Sequence, residues 1–260
     1  MADGQRREGP GALALVGAGE YTDAMLETDT ALLATVGGAS GARVALLPTA
    51  SGLEEGSPTY WNNLGLDHFR KLGVSDIRPT LILDRASADD PEQVALLREV
   101  DFYYFSGGNP QHLITSLRGS AAWEVISQAQ AAGAVLAGCS AGAMAMSGYT
   151  LPLRALLSGV ITGAPGDWLP ALAVVPQVVV FPHFDRLPTA LREPMLRRLA
   201  GAAPEGVTLV GVDEDTALVR LDEAPAGGAQ TWQVMGRQTV HLYRRRADPV
   251  TLRAGDRVTL

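Results

Sequence analysis

Val135-Leu136-Ala137-Gly138-Cys139-Ser140-Ala141-Gly142-Ala143-Met144 is an apolar run that stops on a small-residue turn and resumes in helix-forming residues. Gly138, Ser140 and Gly142 fit the G-x-S-x-G pattern, in which a strand ends, turns sharply and hands the chain to a helix with serine at the apex. Glycine two before and two after the serine lets strand and helix approach without a Cβ between them. The turn lifts the serine oxygen out of the sheet, and the first helical N–H groups point at whatever that oxygen attacks. Ser140 is therefore the candidate nucleophile. Cys139 has Gly138 directly before it and no glycine two before, so an elbow centred on it is out of register. The single cysteine reads as a small buried apolar residue.

The 260 residues are 47% hydrophobic and 19% charged, the balance of a globular protein with room for one large α/β domain or two small ones. A formal charge of −7 argues against an electrostatic grip on nucleic acid or an acidic membrane surface. One cysteine makes no internal disulfide, which suits a reducing cytoplasm. Residues 1–10 are polar and Gly-rich and read as a disordered leader. Ala12–Ala18 is too short for a signal segment, and no run reaches membrane-spanning length.

Along the chain, short apolar runs alternate with helical stretches. Strands are expected at Ala12–Ala18, Ala42–Thr49, Ile77–Leu83, Val100–Phe105 and Ala134–Ala137. Helices are expected at Asp23–Val36, Thr59–Leu72, Pro91–Arg98, Pro110–Arg118 and Ala121–Ala132. This alternation marks a mostly parallel, doubly wound sheet with helices on both faces. The turns at Gly17–Glu20, Thr49–Gly52, Ser106–Asn109 and Cys139–Gly142 then share the carboxyl edge, where open α/β sheets bind ligands. Past the elbow, Leu151–Trp168 reads as irregular. Val174–Phe181 and Val207–Val212 read as further buried strands, and Thr189–Ala200 as a basic amphipathic helix. Thr216–Leu221, Gln230–Met235 and Gln238–Tyr243 alternate like an antiparallel extension, with Gly236-Arg237 as its tight turn. No repeat or linker divides residues 11–260, which read as a single domain.

A serine hydroxyl needs a base, and the base needs an orienting carboxylate. His68 falls mid-helix at a mixed polar position and reads as an exposed helix residue, and His241 alternates along a C-terminal strand and reads as a surface residue. His112 follows the Gly107-Gly108-Asn109 turn, which makes Asn109 and His112 candidate substrate contacts. His183 ends the apolar run Val174–Phe181 on the expected active edge and is the natural base. Asp213, Glu214 and Asp215 end the next buried strand, and spacing does not choose among them. The resulting order is Ser, His, acid; an α/β-hydrolase order of Ser, acid, His would instead need His241 as base. Gly107 and Gly108, with Ala141, are candidate donors of an oxyanion hole. No pair of His or Cys stands at metal-ligand spacing, and Gly17-Ala18-Gly19 lacks the third glycine of a dinucleotide fingerprint, so neither metal nor cofactor is expected.

Together these motifs resemble the serine peptidase family that contains cyanophycinase and aspartyl dipeptidase, a family similar in fold to class I glutamine amidotransferases. The resemblance rests on Phe105-Ser106-Gly107-Gly108-Asn109, Gly138-Cys139-Ser140-Ala141-Gly142-Ala143, Pro182-His183-Phe184 and Gly211-Val212-Asp213-Glu214-Asp215-Thr216-Ala217-Leu218. It implies Ser140 as nucleophile, His183 as base and Glu214 as orienting acid. It also implies a small peptide or isopeptide substrate. Aspartyl dipeptidases have a longer segment between the histidine and the arginine that reads a substrate carboxylate; here Arg186 and Arg192 are open to that role or to that of surface charges beside and on the helix Thr189–Ala200. Phe181-Pro182 stands where a cyanophycinase-like pattern has Asp-Gln. An esterase with the same triad, or an inactive binding protein of the same fold, are the rival readings. A cytoplasmic location is expected, and a homodimer is left open.

Overall fold

The computed structural model describes residues 9–152, 168–221 and 230–260. Most of the expected leader and of the irregular Leu151–Trp168 stretch lies outside them. The first half follows the alternation of the sequence: β1 (Leu13–Val16), α1 (Leu26–Ala34), β2 (Arg43–Leu47), α2 (Ser57–Lys71), β3 (Asp76–Pro79), α3 (Arg85–Ala88), α4 (Pro91–Leu96), β4 (Phe102–Phe105), α5 (Pro110–Leu117), α6 (Ala121–Ala131), β5 (Val135–Cys139) and α7 (Ala141–Met146). Local chemistry sets these boundaries. Asp90, Asn109 and Ser120 accept N–H bonds at the starts of α4, α5 and α6, and Pro91 and Pro110 follow two of those caps, where the missing N–H costs nothing.

Strands β1, β5, β4, β2 and β3 lie side by side and parallel in that order. β3 stops at Pro79, short of the expected Leu83. It is an edge strand, and Asp84 accepts from Ser87 N–H to open α3, a helix the sequence reading did not contain.

The second half departs further. β6 (Tyr149–Thr150) pairs with β7 (Leu169–Pro170). Then come β8 (Val178–Phe181), α8 (Thr189–Ala202), β9 (Thr208–Val212), β10 (Thr216–Arg220), β11 (Thr231–Gly236), β12 (Thr239–Tyr243), β13 (Val250–Arg253) and β14 (Arg257–Thr259). β10, β11 and β14 extend the first sheet antiparallel from β1, giving eight strands in the order β14-β11-β10-β1-β5-β4-β2-β3. β8 and β9 do not join it. They form a second sheet, ordered β13-β12-β9-β8. The expected tight turn at Gly236-Arg237 is therefore not a hairpin turn, because the strands on either side of it belong to different sheets.

The second sheet is a layer on one face of the first. Val178, Val180, Val210, Val212, Val240 and Leu242 join the cluster formed with α7 and the β1–β5 face. Val179, Phe181 and Leu209, on the opposite pleat, pack against Leu196, Leu199 and Ala200 of α8. Strands buried on both faces read as continuous apolar runs whichever sheet holds them. Among the described residues no helix is long and apolar enough to cross a membrane.

Candidate active site

The chain leaves β5 and enters α7 with Ser140 at φ 51° and ψ −110°, a conformation costly for any residue with a Cβ. Both neighbouring glycines are required sterically. A Cβ at Gly138 would lie 2.6 Å from the Gly142 carbonyl carbon, and one at Gly142 would lie 2.5 Å from the Phe105 carbonyl oxygen. Ser140 Oγ meets His183 Nε2 at 2.9 Å. His183 Nδ1 meets Glu214 Oε1 at 2.8 Å. Arg186 donates to the other carboxylate oxygen, Oε2, through Nε at 2.9 Å and Nη2 at 2.6 Å. These bonds from Arg186, then from His183, hold the Glu214 carboxyl below the usual carboxylate range. The imidazole is 45% exposed, which leaves the site open to a ligand.

Ser140 follows a strand of the first sheet, whereas His183 and Glu214 follow β8 and β9 of the second. The expectation of one shared sheet rim is thus corrected: the three residues meet across a junction of two sheets. The end of β1 supplies that junction. The Val16 carbonyl accepts from Ser140 N–H at 2.9 Å, Gly17 from His183 N–H at 3.4 Å, and Ala18 from Asp215 N–H at 3.0 Å. A Cβ at Gly17 would lie 2.1 Å from the Asp213 carbonyl oxygen, so only glycine admits the second sheet this closely. Tyr21, Ser140, His183 and Asp215 are four of the seven non-glycine residues with positive φ among the described residues. Backbone strain is concentrated at this junction.

The remaining candidates separate. Gly107 N–H donates to Glu20 Oε1 at 2.9 Å and is therefore not a free oxyanion donor. The N–H groups of Gly108 and Ala141 have no acceptor among the described residues. Gly108 sits at φ 138°, where a Cβ would lie 2.4 Å from the Ala50 carbonyl oxygen. Asn109 spends its side-chain oxygen capping α5 at His112 N–H, 3.0 Å away. His112 Nε2 lies 2.6 Å from the Leu83 carbonyl, to which it donates. Each thus commits one polar atom to the scaffold. Arg186 is engaged with Glu214, and the Arg192 guanidinium lies 4.9 Å over the Phe184 ring.

His241 does not approach Ser140. Its ring nitrogens face Thr239 Oγ1 at 2.9 Å and Thr251 Oγ1 at 3.1 Å, and its ring packs on Phe184. Asp213 bonds Thr239 N–H at 3.1 Å. Burial pushes its carboxyl upward, but the bonds with His241 and Thr239 outweigh that and leave it below the usual range. Of the three clustered acids, Glu214 is the one on His183. Among the described residues no group of three His, Cys, Asp or Glu side chains is placed to hold a metal ion.

Glu20 was missed from the sequence. It read as the end of a glycine turn, yet it is 7% exposed and touches both turns of the site: Gly107 N–H, and Cys139 Sγ at 2.8 Å. Burial and the Glu20 carboxylate push the Cys139 thiol up, which keeps it protonated and unreactive.

The profile of peptidase family S51 matches residues 13–225. A cyanophycinase of Geminocystis herdmanii is 27% identical over 192 residues, 70% of this chain and 64% of that protein. The chain thus spans less than two thirds of the length of that relative. An uncharacterized peptidase of Listeria innocua is 35% identical over 151 residues, 57% of this chain and 67% of that protein. The crystal structure of a peptidase from an acI-B1 actinobacterium has a TM-score of 0.80 and 29% identity, covering 97% of this chain and 98% of that one.

Proposed function

This chain belongs to peptidase family S51, and on that premise we propose that it is a serine peptidase cutting a peptide or isopeptide amide with Ser140, His183 and Glu214. The supporting observation is the continuous line of bonds from Ser140 Oγ through the imidazole to Glu214. Glu214 accepts a hydrogen bond from Nδ1–H, which keeps the proton on that nitrogen and leaves the Nε2 lone pair facing the hydroxyl. Ser140 Oγ attacks the amide carbonyl as His183 takes its proton. The oxyanion accepts from the N–H groups of Gly108 and Ala141. Collapse breaks the C–N bond, and His183 returns the proton to the leaving amine. Water, activated by the same imidazole, then hydrolyses the acyl-serine ester.

The reading is tested on short peptides varied on each side of the scissile bond. Ser140→Ala is expected to abolish hydrolysis and labelling by a serine-directed phosphonate without loss of fold. His183→Ala is expected to lower kcat by at least about 10⁴-fold, and His241→Ala to leave catalysis standing. Full activity in Ser140→Ala would end the proposal. Esters cleaved where no amide is cut would turn it to an acyl hydrolase.

A further inference from the structure

We infer that Glu20 is the positioning residue of the oxyanion hole, a buried strut that ties the glycine turn to the nucleophile elbow. The inference rests on the reading of Ser140 as nucleophile. The two turns come from different strands, β4 and β5, and each contributes one of the free N–H groups. Two donors from separate loops serve one oxygen only if their spacing is held to a few tenths of an ångström.

Glu20 spans that gap with a single rigid group. Its Oε1 accepts from Gly107 N–H at 2.9 Å, and its Oε2 accepts from the thiol of Cys139, the residue before the nucleophile. A Cβ at Gly107 would stand 2.9 Å from Glu20 Oε1 and 3.9 Å from Ser140 Oγ, so this glycine lies between carboxylate and nucleophile. Claiming the Gly107 N–H has a directional consequence. It fixes the turn and leaves the Gly108 N–H as the one backbone donor of that turn without an acceptor among the described residues. Glu20 itself sits two residues past Ala18, in the segment whose carbonyls hold Ser140, His183 and Asp215. The same short stretch therefore carries both halves of the site. A purely packing role does not require a carboxylate: a buried carboxylate is costly unless its oxygens are bonded, and here both bonds go to the active turns.

Phosphonylation of Ser140 by a fluorophosphonate reads the hole directly, because the phosphoryl oxygen takes the oxyanion position. Glu20→Gln keeps an acceptor for Gly107 N–H and an amide that can face the Cys139 sulfur; it is expected to retain labelling within about fivefold of wild type. Glu20→Asp, one methylene short of bridging both turns, is expected to label about 100-fold more slowly, the cost of losing one oxyanion donor. Its kcat should fall in step while KM stays within about twofold, since the strut acts on the transition state. Wild-type labelling in folded Glu20→Asp would overturn the inference, as would an equal loss in Glu20→Gln, which would assign the effect to charge. Should Glu20→Asp not fold, Cys139→Ala decides: it unties the elbow side alone, slower labelling is expected, and an unchanged rate overturns the strut. Failure of the wild-type protein to label would instead bring down the nucleophile assignment.

Discussion

Ser140 is held where a side chain pays for its backbone. At φ 51° and ψ −110° it lies in a region populated mainly by glycine. The elbow persists because β5 on one side and α7 on the other over-determine it, with Ser140 N–H bonded to the Val16 carbonyl. Relief of this strain should be measurable. Ser140→Gly is expected to exceed Ser140→Ala in stability by about 1 kcal/mol, after the entropic cost of glycine is set against 1–3 kcal/mol of strain. Both variants lack the hydroxyl, so the difference reports backbone strain net of the entropic cost of glycine. Urea denaturation checks it, and a Ser140→Gly variant less stable than Ser140→Ala would show that the turn carries less strain than the entropic cost of glycine.

Among the elements, α1 and α2 are joined by a buried pair. Asp29 of α1 and His68 of α2 meet at 2.7 Å, their side chains 0% and 2% exposed. Burial pushes the Asp29 carboxyl up against the opposing pull of His68. The histidine that reads as an exposed helix residue in sequence is thus the partner of an acid 39 positions away. Truncation of one member of such a pair leaves the other buried without compensation. His68→Ala is expected to destabilise the protein by about 3 kcal/mol, read as a lower denaturation midpoint with an unchanged urea slope. A loss under about 0.5 kcal/mol, the range of an ordinary surface change, would contradict the pairing.

For the whole molecule, acid is the expected weak side. Asp76, Asp213 and Glu214 are all held below their ordinary values, Asp76 chiefly by its bond to Arg78. A carboxyl with a depressed folded value contributes stability above its unfolded value, near pH 4, and loses it as pH falls through the folded one. Asp29 has the opposite sign, since its raised value lets the folded state take up a proton first. With several groups against one, Tm should fall as pH drops from about 5 to about 3. Glu214→Gln should flatten part of that slope, because its side chain no longer titrates. A Tm that is level or rising over this range would contradict the balance.

What the sequence carried by itself is what lies within a few residues: the alternation of apolar strands and helices, and above all the elbow, whose two glycines flank the serine in one short motif. Ser140 and His183 were legible because each ends a buried strand. The choice of Glu214 over Asp213 and Asp215 came only by resemblance, since neighbouring acids differ in where the loop points them and not in composition. Tertiary structure alone decided that β8 and β9 form a separate layer, because a strand covered on both faces has the same apolar pattern in either sheet. It also gave His112 and Arg186 their bonding partners, and revealed Glu20 as a bridge. Those outcomes depend on which groups meet across 28 to 119 positions of chain, and local periodicity holds no record of a partner so far away.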